Sequence, residues 1–304
     1  MFFARWVPVK GDAMFGSRAV LVLVLMIWIT ASAGVQAQQV VRLGIEHYDD
    51  GEDRYEVSLL KLALEHSGED AVLEVVSLGD TTQERVLIEF EQGRSNFDVF
   101  YSGGSPEREQ RFEQIDIPLS RGLLGHRIFV TRKDQLYRLA QIKTLDEFRD
   151  YAVVGSGFGW PDTDIFRAAG FKVLPAEWKN IWRMLSVGRT NVFNLGVHEA
   201  HAERANFDAI YPNLTVDNNL LVKYRFGFFF YVQKDNRALA ELIERGLERA
   251  YETGAFMQLF ERHPRIQRAL DHIRQNDLTV LEIPNPYLSD RHRAIPDRYW
   301  HDVK

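Results

Sequence analysis

The stretch Asp98-Val99-Phe100-Tyr101-Ser102-Gly103-Gly104-Ser105-Pro106-Glu107-Arg108 decides how this chain is interpreted. Its first half, Val99 to Tyr101, is apolar and β-prone, which predicts a buried strand. Its second half brings two glycines, two serine hydroxyls and Arg108, a combination that is typical of a site for an anionic group. The alternative interpretation is a glycine turn that leads into a capped helical turn with a surface arginine.

Strands and helices alternate before this stretch. The apolar runs Val40–Glu46 and Val72–Ser77 predict strands, and each is followed by a helical pattern. This β-α-β-α-β order with short connections predicts a parallel sheet with right-handed crossovers. Ligands of such sheets bind at the carboxyl ends of the strands, where His47-Tyr48 and Ser102-Gly103 fall.

A second series of strands and helices begins at Arg127. The predicted strand Val153-Val154 opens into the glycine-rich loop Gly155–Thr163, whose backbone N–H groups can face an anion at the start of a helix. The loop fits neither a Walker loop nor a dinucleotide fingerprint, because it lacks the lysine of the first and the third glycine of the second. Further strands are predicted at 171–174, 191–193, 208–211, 220–224 and 226–232. The tail, 278–304, contains three prolines and is expected to lie extended over the surface.

The composition excludes several classes of protein. The 304 residues are 45% hydrophobic and 26% charged with a net charge of −6, which is typical of a globular protein with an ample core. The acidic balance does not support nucleic-acid binding, and the absence of cysteine excludes disulfides and thiolate chemistry. The segment His198-Glu199-Ala200-His201 lacks the spacing of a zinc-binding His-Glu-x-x-His helix, so neither a metal nor a cofactor is expected.

Residues 1–37 predict a secretory signal peptide. A basic segment containing Arg18 precedes the uncharged apolar run 19–29, and small residues lead to a cleavage site after Ala37. The run is too short to favour a membrane span, although an uncleaved anchor is an alternative. Met14 is an alternative start that would give a leader of ordinary length. The mature protein is expected in the periplasm.

Four segments follow one another in an order that points to one family. They are Asp98–Arg108 with its Ser-x-x-Arg turn, the strand Gly125–Arg132, the pair Gly155-Ser156-Gly157 and Leu185–Asn191, and the strand Gly227–Lys234. Together with the signal peptide, they make the chain resemble the extracytoplasmic solute-binding proteins of family 3, the substrate-binding type of amino-acid ABC transporters. The resemblance extends over almost the whole mature length.

The resemblance implies a two-lobed α/β fold of the periplasmic-binding-protein type (type II), with two lobes joined by two hinge crossings. Lobe 1 would comprise 38–126 and 226–304, and lobe 2 would comprise 127–225. The implied function is the capture of a small anionic or zwitterionic, amino-acid-like solute between the lobes, without catalysis. The implied partners are this solute and an inner-membrane ABC permease or sensor protein, with the chain itself a monomer and no nucleic acid involved.

The resemblance also implies roles for individual residues. In the family, the arginine of the turn pairs with the α-carboxylate of the ligand, which corresponds to Arg108, and Ser102 and Ser105 fall where hydroxyl donors assist it. Ser156 and Thr163 lie in the loop of the second lobe that faces this turn, and in the family the backbone of that loop also binds the carboxylate. The remaining predicted ligand-binding residues are Gly103, Tyr48, Tyr101, Trp160, Asn194 and Glu199.

Several of these residues have a structural alternative, and two features depart from the family pattern. Tyr48 and Tyr101 could sandwich a solute between aromatic faces, or they could pack in the core at strand ends. The second-lobe loop is longer and more aromatic than in the family and carries Trp160. The aspartate that commonly holds an amino group aligns near Gly196, where Asn194 is one of the nearby polar residues.

Two other functions remain open from the sequence. One is an exported enzyme of the dehydratase or lyase type on the same scaffold, for which Glu46, His47 and Glu199 are the candidate acids and bases. The other is an interaction protein whose cleft is vestigial and whose surface binds a partner.

Overall fold

The computed structural model describes residues 1–6, 8, 38–46, 54–79 and 81–301. Residues 1–38 and 39–304 form two separate compact units, and the described residues of the first unit have no regular secondary structure. Nearly all of the predicted signal peptide lies outside the described residues, and so do His47 and Tyr48. Within the described part of the chain, no helix has the length and apolar character needed to cross a membrane.

The first sheet of the second unit has five strands in the order β2-β1-β3-β11-β4. They are β1 (Gln39–Ile45), β2 (Ala71–Ser77), β3 (Val99–Gly103), β4 (Phe112–Gln114) and β11 (Phe228–Gln233). β1 is parallel to β2 and β3, which confirms the predicted parallel arrangement, whereas β11 is antiparallel to both β3 and β4. The stretch quoted at the start therefore supplies a central strand, and all five residues of β3 are buried.

The second sheet has seven strands, six of them in the order β12-β10-β5-β8-β6-β7, with β9 paired to β5. They are β5 (His126–Arg132), β6 (Val153–Gly157), β7 (Lys172–Ala176), β8 (Val192–Gly196), β9 (Leu214–Val216), β10 (Leu220–Lys223) and β12 (Thr279–Glu282). The strand predicted at 208–211 is wrong. The backbone there turns, with the Tyr211 N–H donating to the Phe207 carbonyl at 2.8 Å, and the strand begins only at Leu214.

Helices connect the strands of both sheets. They are α1 (Tyr55–His66), α2 (Gln83–Glu91), α3 (Pro106–Arg111), α4 (Leu136–Gln141), α5 (Leu145–Tyr151), α6 (Pro161–Ala168), α7 (Trp178–Ser186), α8 (Ala200–Asn206), α9 (Arg237–Glu252), α10 (Ala255–Arg262), α11 (Pro264–Gln275) and α12 (Asp290–Ala294). Short 3₁₀ turns lie at Leu123–Gly125, Lys133–Gln135 and Asp297–Tyr299. Helices alternate with strands through both sheets, as the sequence pattern predicts.

The chain passes from the first sheet to the second between β4 and β5, and it returns between β10 and β11. The tail then joins the second sheet through β12 and forms α12, where Arg291 binds Asp116 at 2.7 Å and the Gln114 carbonyl at 2.6 Å. The prediction of an extended tail is therefore wrong in part. The domain bounds stay a prediction, and β12, within the range 226–304, belongs to the second sheet.

Two long helices of the first sheet, α1 and α9, pack against each other at a glycine. A Cβ atom added to Gly246 of α9 would lie 1.9 Å from the carbonyl oxygen of Ala63 in α1. Both helices bury apolar faces here, with Leu60 and Ile243 fully buried. The absence of a side chain at Gly246 therefore sets the distance between these two helices.

Gly246→Ala is expected to lower the free energy of unfolding, although alanine has the better helix propensity by about 1 kcal/mol. The added methyl group has to push backbone against backbone, and overpacking of this kind costs about 1–3 kcal/mol beyond that gain. Urea unfolding of the variant measures the difference. Glu241→Ala, on the exposed face of the same helix, is the control and is expected to stay within about 0.5 kcal/mol of the parent. A Gly246→Ala variant as stable as the parent would contradict this packing.

Candidate ligand-binding site

Residues that end or follow strands of both sheets line one cavity of about 110 Å³. Glu46 follows β1 and Gly103 ends β3 of the first sheet, whereas Trp160 follows β6 and Glu199 follows β8 of the second. The volume is far above the roughly 10–15 Å³ that a single water needs. The other lining residues are Arg54, Gln83, Tyr101, Ser102, Leu124, Arg127, Pro161, Asp162, Trp178, Leu195, Glu203 and Phe228. The position at strand ends is the one where α/β sheets bind ligands.

Arg108, the predicted anion-binding residue, is 3% exposed; it does not line this cavity but lines a neighbouring open groove. Its Nη1 donates to Ser102 Oγ at 2.6 Å and to the Gly103 carbonyl at 2.7 Å. Its Nη2 donates to Gln83 Oε1 at 2.5 Å and to the Gly159 carbonyl at 3.0 Å. Four neutral protein oxygens therefore already accept hydrogen bonds from this guanidinium.

Ser105 and Thr163 do not line the cavity; they line the neighbouring open groove of about 780 Å³, which shares Trp160 and Pro161 with the cavity wall. Ser105 is the N-cap of α3, where its Oγ accepts from the Arg108 N–H at 3.2 Å. Thr163 Oγ1 is 2.8 Å from Ser156 Oγ and 2.9 Å from the Gly157 carbonyl, and Ser156 is fully buried. These hydroxyls stabilise the local backbone of the two loops.

Asn194 is fully buried in β8 and does not line the cavity. Within the described residues, neither its Oδ1 nor its Nδ2 has a hydrogen-bond partner. Tyr48, the other predicted aromatic contact, lies outside the described residues. Of the predicted ligand-binding residues, the cavity brings together Tyr101, Ser102, Gly103, Trp160 and Glu199.

Gln83 is a site residue that the sequence reasoning missed. Its Oε1 accepts from Arg108 Nη2 and also from Ser102 Oγ at 3.1 Å, while its Nε2 donates to Glu46 Oε2 at 3.3 Å. The one sequence signal nearby is Thr82, which caps α2 and so fixes where Gln83 begins the helix. The amide of Gln83 thus links the buried arginine to a carboxylate of the cavity wall.

Arg127 forms a second buried cluster at the cavity wall. Its Nη2 pairs with Asp162, its Nε donates to the Tyr224 hydroxyl at 2.9 Å, and that hydroxyl donates to the same Asp162 oxygen. Burial disfavours the charged guanidinium, but Asp162 and Tyr224 outweigh it and raise the pKa of Arg127 above its usual value. Glu199 Oε2 lies 3.7 Å from Arg127 Nη1 as well. The charge of Arg127 is therefore compensated within the protein.

The carboxyl group of Glu46 has a raised pKa. Burial raises its pKa from the usual 4.5 to about 7, against the opposing effects of the Gln83 hydrogen bond and the charges of Arg108 and Arg54. Within the described part of the chain, its Oε1 is buried without a hydrogen-bond partner. Glu46 therefore changes charge near neutral pH at the wall of the cavity.

Glu46→Gln is expected to stabilise the folded chain at pH 8 and to have little effect at pH 4.5. Because the folded pKa of about 7 exceeds the usual 4.5, the folded state binds more protons than the unfolded state between these pH values. The parent therefore loses stability as the pH rises through 7. The amide of the variant does not ionise, so at pH 8 we expect the variant to be more stable than the parent by about 1–2 kcal/mol. Urea unfolding at both pH values measures it. Glu261→Gln, which removes an exposed carboxylate, is the control; a gain of equal size at both pH values would contradict the assignment.

Aromatic side chains form part of the cavity wall. The Trp160 ring lies 6.0 Å from that of Trp178 and 6.2 Å from that of Phe193, the latter pair stacked at 24°. Tyr101 meets Phe228 edge to face at 5.3 Å. Trp178 packs against the hydrophobic core and also reaches the cavity as a partly buried side chain. The cavity therefore combines aromatic surfaces with carboxylates and guanidinium groups.

Comparison with known proteins gives matches in structure alone. No protein-family model matches the chain, and no curated protein matches it either. An amino-acid ABC transporter substrate-binding protein from Streptococcus pneumoniae bound to L-arginine has a TM-score of 0.53 at 16% identity, covering 76% of this chain and 95% of that one. An ancestral amino-acid-binding protein, a precursor of cyclohexadienyl dehydratase, has a TM-score of 0.52 at 15% identity, covering 74% and 95%. A histidine kinase sensor domain has a TM-score of 0.50 at 18% identity, covering 75% and 96%.

At these identities the likeness concerns the fold. The predicted fold class is confirmed: the chain has the two-lobed α/β fold of periplasmic binding proteins.

Proposed function

We propose that this protein is an extracytoplasmic solute-binding protein that captures a small, amino-acid-like solute between its lobes without catalysis. The observation that carries the proposal is the cavity itself, which is lined by strand-end residues of both sheets. A solute in this position touches both sides at once, so its binding favours the closed arrangement of two lobes. The neighbours of similar fold, several of which bind amino acids, support the same class of function.

Contacts that cross between the two sides accompany the cavity. Arg108 Nη2 reaches the Gly159 carbonyl at 3.0 Å, and Arg54 Nη2 lies 3.9 Å from Glu203 Oε1. With lobe 1 as 38–126 and 226–304 and lobe 2 as 127–225, both contacts join one lobe to the other. We infer that they help to hold the closed form.

The proposed contacts of the solute are the predicted residues that reach the cavity, with Tyr101 and Trp160 as its aromatic surfaces. Ser105, Ser156, Thr163 and Asn194 would support the surrounding backbone instead. The prediction of an anionic solute rests on Arg108, whose guanidinium already donates to four protein oxygens. The charged groups that line the cavity therefore decide which charge the solute carries.

The proposed location is the periplasm, reached through the N-terminal signal peptide, and the proposed partner is an inner-membrane ABC permease or a sensor protein. Both kinds of partner have support among proteins of similar fold, which include ABC transporter substrate-binding proteins and a histidine kinase sensor domain. The chain would act as a monomer.

Trp160→Ala is expected to weaken the binding of the solute at least tenfold, because it removes an aromatic surface of the cavity. The solute is first identified by mass spectrometry of material that co-purifies with the protein, or by thermal-shift screening of amino acids, organic acids and polyamines. Isothermal titration calorimetry then measures the dissociation constant of parent and variant.

Tyr137→Ala serves as the matched control, since Tyr137 is 79% exposed and far from the cavity lining. It is expected to leave the dissociation constant unchanged. Equal affinity of the parent and Trp160→Ala would place the solute elsewhere, and no stabilisation by any small solute would favour the interaction protein with a vestigial cleft.

A second candidate is an exported enzyme of the dehydratase or lyase type. The observation that favours it is Glu46, a carboxyl group with a pKa of about 7 at the cavity wall, which suits a proton donor or acceptor. Incubation of the identified solute with the protein, followed by NMR, tests it. We expect the solute to be recovered unchanged; turnover that is lost in Glu46→Gln would establish the enzyme instead.

A further inference from the structure

The cavity wall carries more negative than positive groups. Four carboxyl groups line it, those of Glu46, Asp162, Glu199 and Glu203, against two guanidinium groups, those of Arg54 and Arg127. Asp162 is bound to Arg127, and Glu203 lies 3.9 Å from Arg54. Glu199 also lies 3.7 Å from Arg127, so three of the four carboxyl groups stand beside a guanidinium of the wall, and Glu46 is the excess acidic group.

No guanidinium of the described cavity wall is left to bind an anion. Arg127 is held by Asp162 and by the Tyr224 hydroxyl, and Arg54 Nη1 donates to the Tyr101 hydroxyl at 3.2 Å. Arg108 does not line the cavity, and its guanidinium donates four hydrogen bonds to protein oxygens. A carboxylate on the solute would have to displace one of these acceptors, and that would leave the displaced group without its partner.

Two of the carboxylates, in contrast, have capacity for a donor. Glu46 Oε1 is buried and has no hydrogen-bond partner within the described residues, while Oε2 accepts from Gln83. The Glu199 carboxylate accepts from the Gly196 N–H and lies 3.7 Å from Arg127 Nη1, both through Oε2, and its side chain is 23% exposed. The two belong to opposite sheets, so a cation between them is bound from both sides.

The aromatic residues suit the same kind of ligand. Trp160 and Trp178 line the cavity from the second sheet, and Tyr101 lines it from the first. The face of an aromatic ring attracts a cation, and the ring of Trp attracts it most strongly. Carboxylates and aromatic rings together form a site for an organic cation.

We propose that the cavity recognises its solute by a primary amine or guanidine group bound between Glu46 and Glu199, and that the solute needs no carboxylate. This inference rests on the proposed solute-binding function and names the charge of its solute. The substrate class is an organic cation, of which an amine without an acid group is the simplest form.

Matched pairs of compounds that differ by one carboxylate test this inference. Isothermal titration calorimetry of the protein at pH 8 would compare L-arginine with agmatine and L-lysine with cadaverine, and L-glutamate would serve as the anionic compound. We expect at least one of the two decarboxylated compounds to bind as tightly as its parent amino acid or more tightly, and L-glutamate not to bind.

Three variants locate the binding. Glu46→Gln and Glu199→Gln are each expected to weaken the best amine at least tenfold, because each removes one carboxylate from the site. Glu261→Gln removes an exposed carboxylate on α10 and is expected to leave the dissociation constant unchanged. Thermal unfolding of all three shows that the variants are folded under the conditions of the titration.

Several results would overturn the inference. Tenfold tighter binding of both amino acids than of their decarboxylated forms, or binding of L-glutamate, would mean that a carboxylate is recognised, and the solute-binding function would still stand. Amine binding that Glu46→Gln and Glu199→Gln leave unchanged would overturn it as well, as would a solute from the wider screen that carries no cationic group. The function itself would fall only if that screen found no solute at all.

Discussion

A buried guanidinium has to find hydrogen-bond acceptors within the protein, and Arg108 takes them from three separate segments of the chain. Ser102 and Gly103 end the central strand β3, Gln83 begins α2, and Gly159 belongs to the glycine-rich loop of the second sheet. Burial lowers the pKa of Arg108, yet a guanidinium stays protonated at any physiological pH. Loss of any one acceptor therefore leaves part of a buried charge unsatisfied, and the positions of all three segments depend on one another.

The buried charge of Arg127 is balanced by a carboxylate and not by neutral acceptors alone. Arg127 is as deeply buried as Arg108, but a carboxylate, that of Asp162, balances its charge and the Tyr224 hydroxyl joins the two. All four hydrogen-bond acceptors of Arg108 are neutral. One of them, Gln83, accepts from Arg108 through Oε1 and donates to Glu46 through Nε2. Burial raises the pKa of Glu46 to about 7, although the Gln83 hydrogen bond and the charge of Arg108 both act to lower it.

The sequence predicted the elements well and the contacts of the side chains poorly. The change from an apolar run to glycine and serine marked the end of β3, and Ser105 before a proline marked the start of α3. The strand predicted at 208–211 is wrong because the chain turns there at the end of α8, with Ile210 62% exposed, and the real strand begins at Leu214, where the chain pairs with β5. Gln83 and the burial of Asn194 were beyond prediction, because both depend on which segments the fold brings together and not on local pattern.

The closed arrangement constrains what the cavity can accept. Three contacts join the two sides: Arg108 with Gly159, Arg54 with Glu203, and His201 with His272, whose ring nitrogens lie 3.0 Å apart. A carboxylate that reached Arg108 would compete with the Gly159 carbonyl and so would weaken one of the contacts that hold the sides together. An amine that binds Glu46 and Glu199 adds a further link between the sides and breaks none of the existing ones. Binding of a cation at the proposed site would therefore favour closure, whereas recognition of an anion through Arg108 would oppose it.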